Sequence, residues 1–193
     1  METKIPTKHS RIGRLISKLI HNKVGAFLAY HAGLSGFNRI DAYIIRANGK
    51  RENLLPTYNS RTDKGAALLA SLLSGSSLGS ISSPLPAAYI ALSTSSLTAA
   101  KTDTTLTGET VVSGLARAIG SAGTYTAPSV LDGACSYVLS KTFTAGAAGP
   151  TTIVSAAIFD AASTGNLFVE ANLSSSAVLG LSDQLVLQWS INL

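Results

Sequence analysis

The chain has 193 residues and is 46% hydrophobic, yet only 13% charged and 6% aromatic, whereas an ordinary soluble domain carries about 25% charged residues. That length suits one full domain plus an arm, or two small domains, and the single cysteine, Cys135, excludes an intrachain disulfide and a cysteine-based zinc site. The net charge of +5 is uneven: residues 1–75 hold twelve Lys/Arg against four acids, net +8, and the remainder three against six, net −3.

Ala, Ser, Thr and Gly replace the missing charges, so the exposed surface is small and neutral, a kind that packs against neighbours. The basic character belongs to an arm, which calls for an acidic partner. Met1 to Ser10 is polar. From Arg11 the apolar residues Ile12, Leu15, Ile16, Leu19 and Ile20 recur at helical spacing. Arg11, Arg14 and Lys18 lie towards the other side of that helix. Such a face can dock on its own domain or a sister subunit, lie on an anionic membrane, or meet nucleic acid or an acidic capsid surface. Val24 to Leu34 is the longest near-apolar run. It is too short to span a membrane and too far from Met1 for a signal peptide.

Ile40 to Arg46 reads as a strand that ends at the turn pair Asn48-Gly49. Thr62 or Asp63 is expected to cap a short helix over Lys64 to Leu73 that buries Leu68, Leu69, Leu72 and Leu73, with Gly75 as its stop. Gly75 to Pro86 is a Ser/Gly/Pro-rich linker. Beyond it, strands are predicted over Ala87 to Thr94, Thr110 to Ile119, Ser136 to Thr144, Thr152 to Phe159, Leu167 to Leu173 and Gln184 to Asn192. The last alternates cleanly, with Leu185, Leu187, Trp189 and Ile191 on one face. Thr164-Gly165-Asn166 reads as a hairpin turn, as do Asp132-Gly133 and Ser182-Asp183 as turns.

Chemistry is sparse. No phosphate-binding glycine loop occurs. His9, His21 and His31 all lie in the arm, at spacings unsuited to metal and away from any serine–acid set in the β region. Asp103, Glu109, Asp132, Asp160, Glu170 and Asp183 would always permit a carboxylate pair, so such a pair is no signal for glycoside hydrolysis. Cys135 reads as a small buried residue. No cofactor, metal or catalytic residue is expected. Asp103 is expected to close a turn before Leu106 enters the core, and Glu109 to pair with Arg117.

Three segments together resemble tailed-phage virion structural proteins. They are Ala88-Tyr-Ile-Ala-Leu-Ser-Thr94 followed by Thr102-Asp-Thr-Thr-Leu-Thr-Gly-Glu109, the hairpin Ala157-Ile-Phe-Asp-Ala-Ala-Ser-Thr-Gly-Asn-Leu167, and the closing Ser182-Asp-Gln-Leu-Val-Leu-Gln-Trp-Ser-Ile-Asn192. Gly49-Lys-Arg-Glu-Asn-Leu and Thr62-Asp-Lys-Gly-Ala-Ala-Leu-Leu look similar upstream. The likeness runs in order from about Ile40 to Leu193. It departs at Ala156-Ala157, where glycine is commoner, and in the basic start. The resemblance implies either a head location, as capsid decoration or minor head protein, or a tail or fibre location.

The expected fold is mainly β: an antiparallel, jelly-roll-like β-sandwich with a basic α/β N-terminal extension. It divides into a basic arm with an amphipathic helix (1–35), a strand–helix extension with linker (36–86) and the sandwich (87–193). The expected function is that of a non-enzymatic virion protein, assembled in the host cytoplasm as a homo-oligomer. It is read as a decoration or minor capsid subunit whose arm residues Lys8, Arg11, Arg14, Lys18 and Lys23 grip another virion subunit, first of all the major capsid protein. Nucleic acid is a further partner for the arm, and a membrane is not expected. The rival readings are a tail, baseplate or fibre-attachment subunit, and a carbohydrate-binding sandwich for a host surface. The scarcity of aromatics argues against the last.

Overall fold

Ten strands and one helix make up the computed structural model, which describes residues 37–60, 62–74, 86–126 and 136–192. The larger sheet contains β1 (Phe37–Ile45), β2 (Arg51–Asn53), β3 (Thr57–Ser60), β6 (Ser121–Thr126), β7 (Ser136–Thr144) and β10 (Gln184–Asn192). Its order is β2-β1-β10-β7-β6, with β3 also pairing to β1. The smaller sheet has the order β5-β4-β8-β9, built from β4 (Tyr89–Ser93), β5 (Ala118–Ile119), β8 (Thr151–Phe159) and β9 (Leu167–Leu179). All pairings are antiparallel, and the two sheets close on one core as a β-sandwich.

A long double strand folds over itself to make that sandwich. β8 and β9 form a hairpin in the smaller sheet, and their continuations β7 and β10 pair in the larger one, with Thr144 opposite Gln184 and Thr151 opposite Leu179. Pairing persists across the corner: Ala145 donates to the Asp183 carbonyl at 2.9 Å and Ser182 to the Ala145 carbonyl at 2.8 Å. This nesting of one strand pair inside another is how a jelly roll is wound.

Alternation along β10 works as expected, and Leu185, Leu187, Trp189 and Ile191 are wholly buried. They meet Ile40 and Ile44 of β1 and Leu139 and Phe143 of β7, and opposite these lie Ile90, Leu92, Ile153, Ile158, Val169 and Leu179 of the smaller sheet. The strand expected as part of an N-terminal extension is thus an interior strand of the larger sheet. β1 lies between β2 and β10 because its alternate residues Ile40, Ala42 and Ile44 complete the core.

The helix, α1 (Asp63–Ser74), starts where its cap predicts. Thr62 Oγ1 accepts a 3.0 Å bond from the Gly65 amide and donates to the Leu167 carbonyl at 2.6 Å, so one hydroxyl both caps α1 and ties it to β9. Leu68 is fully buried, but Leu72 is 43% exposed, so the apolar face is narrower than expected. Thr62→Val is expected to cost about 2 kcal/mol, because it orphans a helix amide and a buried carbonyl; urea unfolding measures it. Among the described residues no helix is long and apolar enough to cross a membrane.

The segment Thr110 to Ile119 departs most from expectation. Only Ala118–Ile119 is a strand there; before it Glu109 makes an isolated bridge to Ser93 and the chain turns at Gly114, placing Leu115 in the core with no exposure. Conversely, Ser121–Thr126 is a strand that its small, polar composition conceals. Pairing with β7 makes it one.

Candidate functional site

The outer face of the smaller sheet is covered by the long β4–β5 connection, here called the strap. Three cross-strand rows meet it. Tyr89, Phe159 and Leu167 form one, Ala91, Ala157 and Glu170 the next, and Ser93, Ser155 and Asn172 the third. The alanines leave room, so that Leu106 from the strap seals a second small core with Ala91, Ala157, Phe159 and Leu167. This bears out the expectation that Leu106 turns inward.

Polar groups pin the strap along its length. Asn172 pairs doubly with Leu97, accepting from its amide and donating to its carbonyl, both at 2.8 Å. Ser155 donates to the Ser95 carbonyl at 2.8 Å and Ser93 to the Thr107 carbonyl at 2.5 Å. Asp63 at the start of α1 donates its amide to the Lys101 carbonyl at 2.8 Å.

Arg117 closes the far end. Its Nε and Nη2 grip both oxygens of Glu109 at 2.8 and 2.6 Å, the pair expected from the sequence. Its Nη1 donates to the carbonyls of Ala161 and Thr164 in the β8–β9 turn, and the guanidinium stacks 3.6 Å from the Phe159 ring centre. In that turn Asp160 accepts from the amide and side-chain nitrogen of Asn166, both at 2.6 Å, so the expected hairpin turn is present.

Asp103 and Glu170 meet beneath the strap. Glu170 is 3% exposed and hydrogen-bonded to Asp103, whose Oδ2 also accepts the Ala100 amide at 2.6 Å. Burial, then the bond and the charge of Asp103, push the Glu170 carboxyl up to about 8. A polar cleft of about 390 Å³ opens above them, lined by Thr98, Thr102, Thr104, Thr105 and Thr107 among others. Carboxyls that share a hydrogen bond are closer than the separation of about 5–10 Å that glycoside hydrolysis uses, so the geometry is that of a clasp. The sequence carried one clue to it, an acid set within Leu167-Phe-Val-Glu-Ala171.

A second ionic cluster holds the sandwich corner. Arg46 donates to Asp183 at 2.9 Å, to Glu52 at 2.6 Å and to the Val178 carbonyl. Asp183, read from the sequence only as a turn residue, also accepts the amides of Ala47 and Gly180. Burial opposes its ionisation, but the bonds from Arg46, Gly180 and Ala47 outweigh that and hold the carboxyl below its ordinary value. Its stabilisation is therefore present at neutral pH and lost as pH falls through that lowered value.

Charge on the described residues balances, eight Lys/Arg against eight Asp/Glu, while residues 1–36 carry six against one and hold the full excess of +5. The eight acids are all engaged: Asp41 by Arg39, Glu52 and Asp183 by Arg46, Asp63 by Lys101, Glu109 by Arg117, Asp160 by Asn166, and Asp103 and Glu170 by one another. The arm residues Lys8, Arg11, Arg14, Lys18 and Lys23, like Cys135 and the linker 75–85, lie outside the described residues.

No match is found among curated proteins. A family model described as podophage GP4 fiber I protein gp80 matches residues 65–190, roughly two thirds of the chain. That span takes in all but the first two residues of α1, the strap with its clasp, β4 to β9 and most of β10. The chain belongs to the podophage GP4 fiber I protein gp80 family and is a phage structural protein.

Proposed function

We propose that this protein is a non-enzymatic subunit of a phage fibre. Its sandwich would form the body, packed as a homo-oligomer, and its basic N-terminal residues would attach it to an acidic surface of another virion subunit. The family match carries the reading and favours the fibre over the decoration or minor capsid role to which the basic arm alone pointed. The charge distribution supports the attachment. The eight described acids of the body are already engaged by the body's own groups, which leaves the +5 of residues 1–36 little complement among them. Lys8, Arg11, Arg14, Lys18 and Lys23 are the residues that would meet the foreign surface.

Immunogold labelling of intact particles tests the location. Label at the tail is the expected result, and label spread over the head shell would overturn the fibre reading. Deleting residues 1–35 tests the attachment: incorporation into particles should fall at least tenfold while the circular dichroism of the body is retained. Undiminished incorporation would sink the anchoring role but leave the fibre assignment standing.

A further inference from the structure

We infer that residues 24–34, the uncharged apolar run at the root of the arm, dock on their own sandwich in a groove beside the free edge of the smaller sheet. Two apolar hollows of about 270 and 360 Å³ make up the groove and meet at Ala162 in the β8–β9 turn. Pro86, Tyr89 and Ile119 line the first, and Val111, Ala116 and Thr164 the second. Val111 is 86% exposed and Ile119 58%, the former the most exposed large hydrophobic among the described residues. β5 is the outermost strand of its sheet, so Ile119 has β4 on one side and no further strand on the other. Apolar side chains grouped around apolar hollows favour a cover, unlike single exposed ones such as Leu55.

The chain outside the described residues ends within reach of this groove. Residues 1–36 lead into β1 at Phe37, which lies at the end of the sandwich away from the corner. There Asn38 accepts the amide of Asn192, the last residue of β10, whereas Gln184 begins β10 at the corner. The groove is at that same end, because Tyr89 at the start of β4 pairs with Phe159 at the end of β8. Phe37 also pairs with Ser60, and Thr62 binds the Leu167 carbonyl where β9 leaves the turn that carries Ala162. Only Ser35 and Gly36 separate Leu34 from Phe37. A run of this length spans up to about 35 Å when extended, and a four-stranded sheet is only about 15 Å across.

Charge selects this run over the basic stretch before it. The charged side chains of the groove are Glu109, Arg117 and Asp160. Glu109 and Arg117 grip each other, and Asp160 accepts from Asn166. A lysine or arginine brought here would give up water without an unengaged carboxylate to replace it. Residues 24–34 contain no Lys, Arg, Asp or Glu, and they offer Phe27, Leu28, Tyr30 and Leu34 to the hollows. With the root held, Lys8, Arg11, Arg14, Lys18 and Lys23 are presented from one fixed end of the sandwich. Docking of the root is independent of which subunit those residues meet.

Photo-crosslinking on the full chain tests the docking. Ile119→p-benzoylphenylalanine puts the probe on the groove, and Ala162→p-benzoylphenylalanine puts it there from a different element. Irradiation and trypsin digestion should link either probe to the peptide Val24–Arg39 at residues 24–34, and Leu28→Asp should lower that yield severalfold. The same probe at Leu181, 54% exposed near the corner, should give no such link. No link from either groove site to residues 24–34, or an equal yield from Leu181, would overturn the docking. Natural and nitrogen-15 chains mixed before irradiation identify the donor. Links within one isotope are expected, and links between isotopes would overturn docking on the same chain in favour of a second copy. Glutamine at Lys8, Arg11, Arg14 and Lys18 should keep the link while incorporation into particles falls. A link lost in that variant would overturn the choice of the uncharged run, whereas a kept link with undiminished incorporation would sink the attachment alone.

Discussion

Gly114→Ala is expected to destabilise the protein by more than about 3 kcal/mol, enough to lose the native turn between Thr110 and Arg117. Gly114 sits at φ +77°, and a Cβ there would lie 1.8 Å from the Thr144 carbonyl oxygen, well inside any contact distance. Its flanks cannot give way easily. Ser113 accepts the Gly146 amide through its carbonyl at 2.9 Å, and the next residue, Leu115, is fully buried. The turn is thus wedged where β7 leaves the larger sheet. Gly49→Ala is the control, since Gly49 has φ +83° but nothing within 4 Å of the added carbon. It should cost only the left-handed strain, about 1 kcal/mol. Chemical unfolding of both variants separates clash from strain, and equal costs would show that the Thr144 contact contributes nothing.

Arg117→Met should cost about 3 kcal/mol, a Tm drop of roughly 6–12 °C for a chain of this size. The substitution retains an apolar stem over Phe159 but removes the two bonds to Glu109 and those to Ala161 and Thr164. Arg117 is 9% exposed and Glu109 25%, so water replaces those bonds only in part. Much of the cost arises from leaving Glu109 half-buried without its cation. The double variant Glu109→Gln/Arg117→Met should therefore be clearly less unstable than the sum of the singles. Calorimetry on the four proteins decides it. A single variant within 1 kcal/mol of the wild type would mean that the strap is held by its other contacts, Leu106 and the Asn172, Ser155 and Ser93 bonds among them, and not by Arg117.

Both predictions concern the strap, where sequence and structure parted. Thr110 to Ile119 contains Val111, Val112, Leu115 and Ile119 and looks like a strand, but Val111 is 86% exposed and Leu115 fully buried. A turn at Gly114 explains that inversion, and a period-two pattern cannot represent it. The clasp was hidden for another reason. Asp103 and Glu170 are 67 positions apart in the numbering, and nothing local in either segment encodes their contact. Only the placement of the strap over β9 brings the two acids together, with Glu170 buried and its carboxyl raised.

The sequence by itself determined the alternation of β10, the Thr62 cap, the hairpin turn at Thr164 to Asn166 and the pairing of Glu109 with Arg117. Each rests on periodicity or on residues within a few positions, which local sterics and hydrogen bonding decide. It also placed the whole excess of positive charge in the first 36 residues, because charge is additive and needs no fold. The tertiary structure alone decided that β1 is an interior strand, that β6 is a strand at all, and that Arg46, Asp183 and Glu52 form one cluster at the corner. Those outcomes depend on which segments meet, and burial between distant strands is a property of the assembled sandwich.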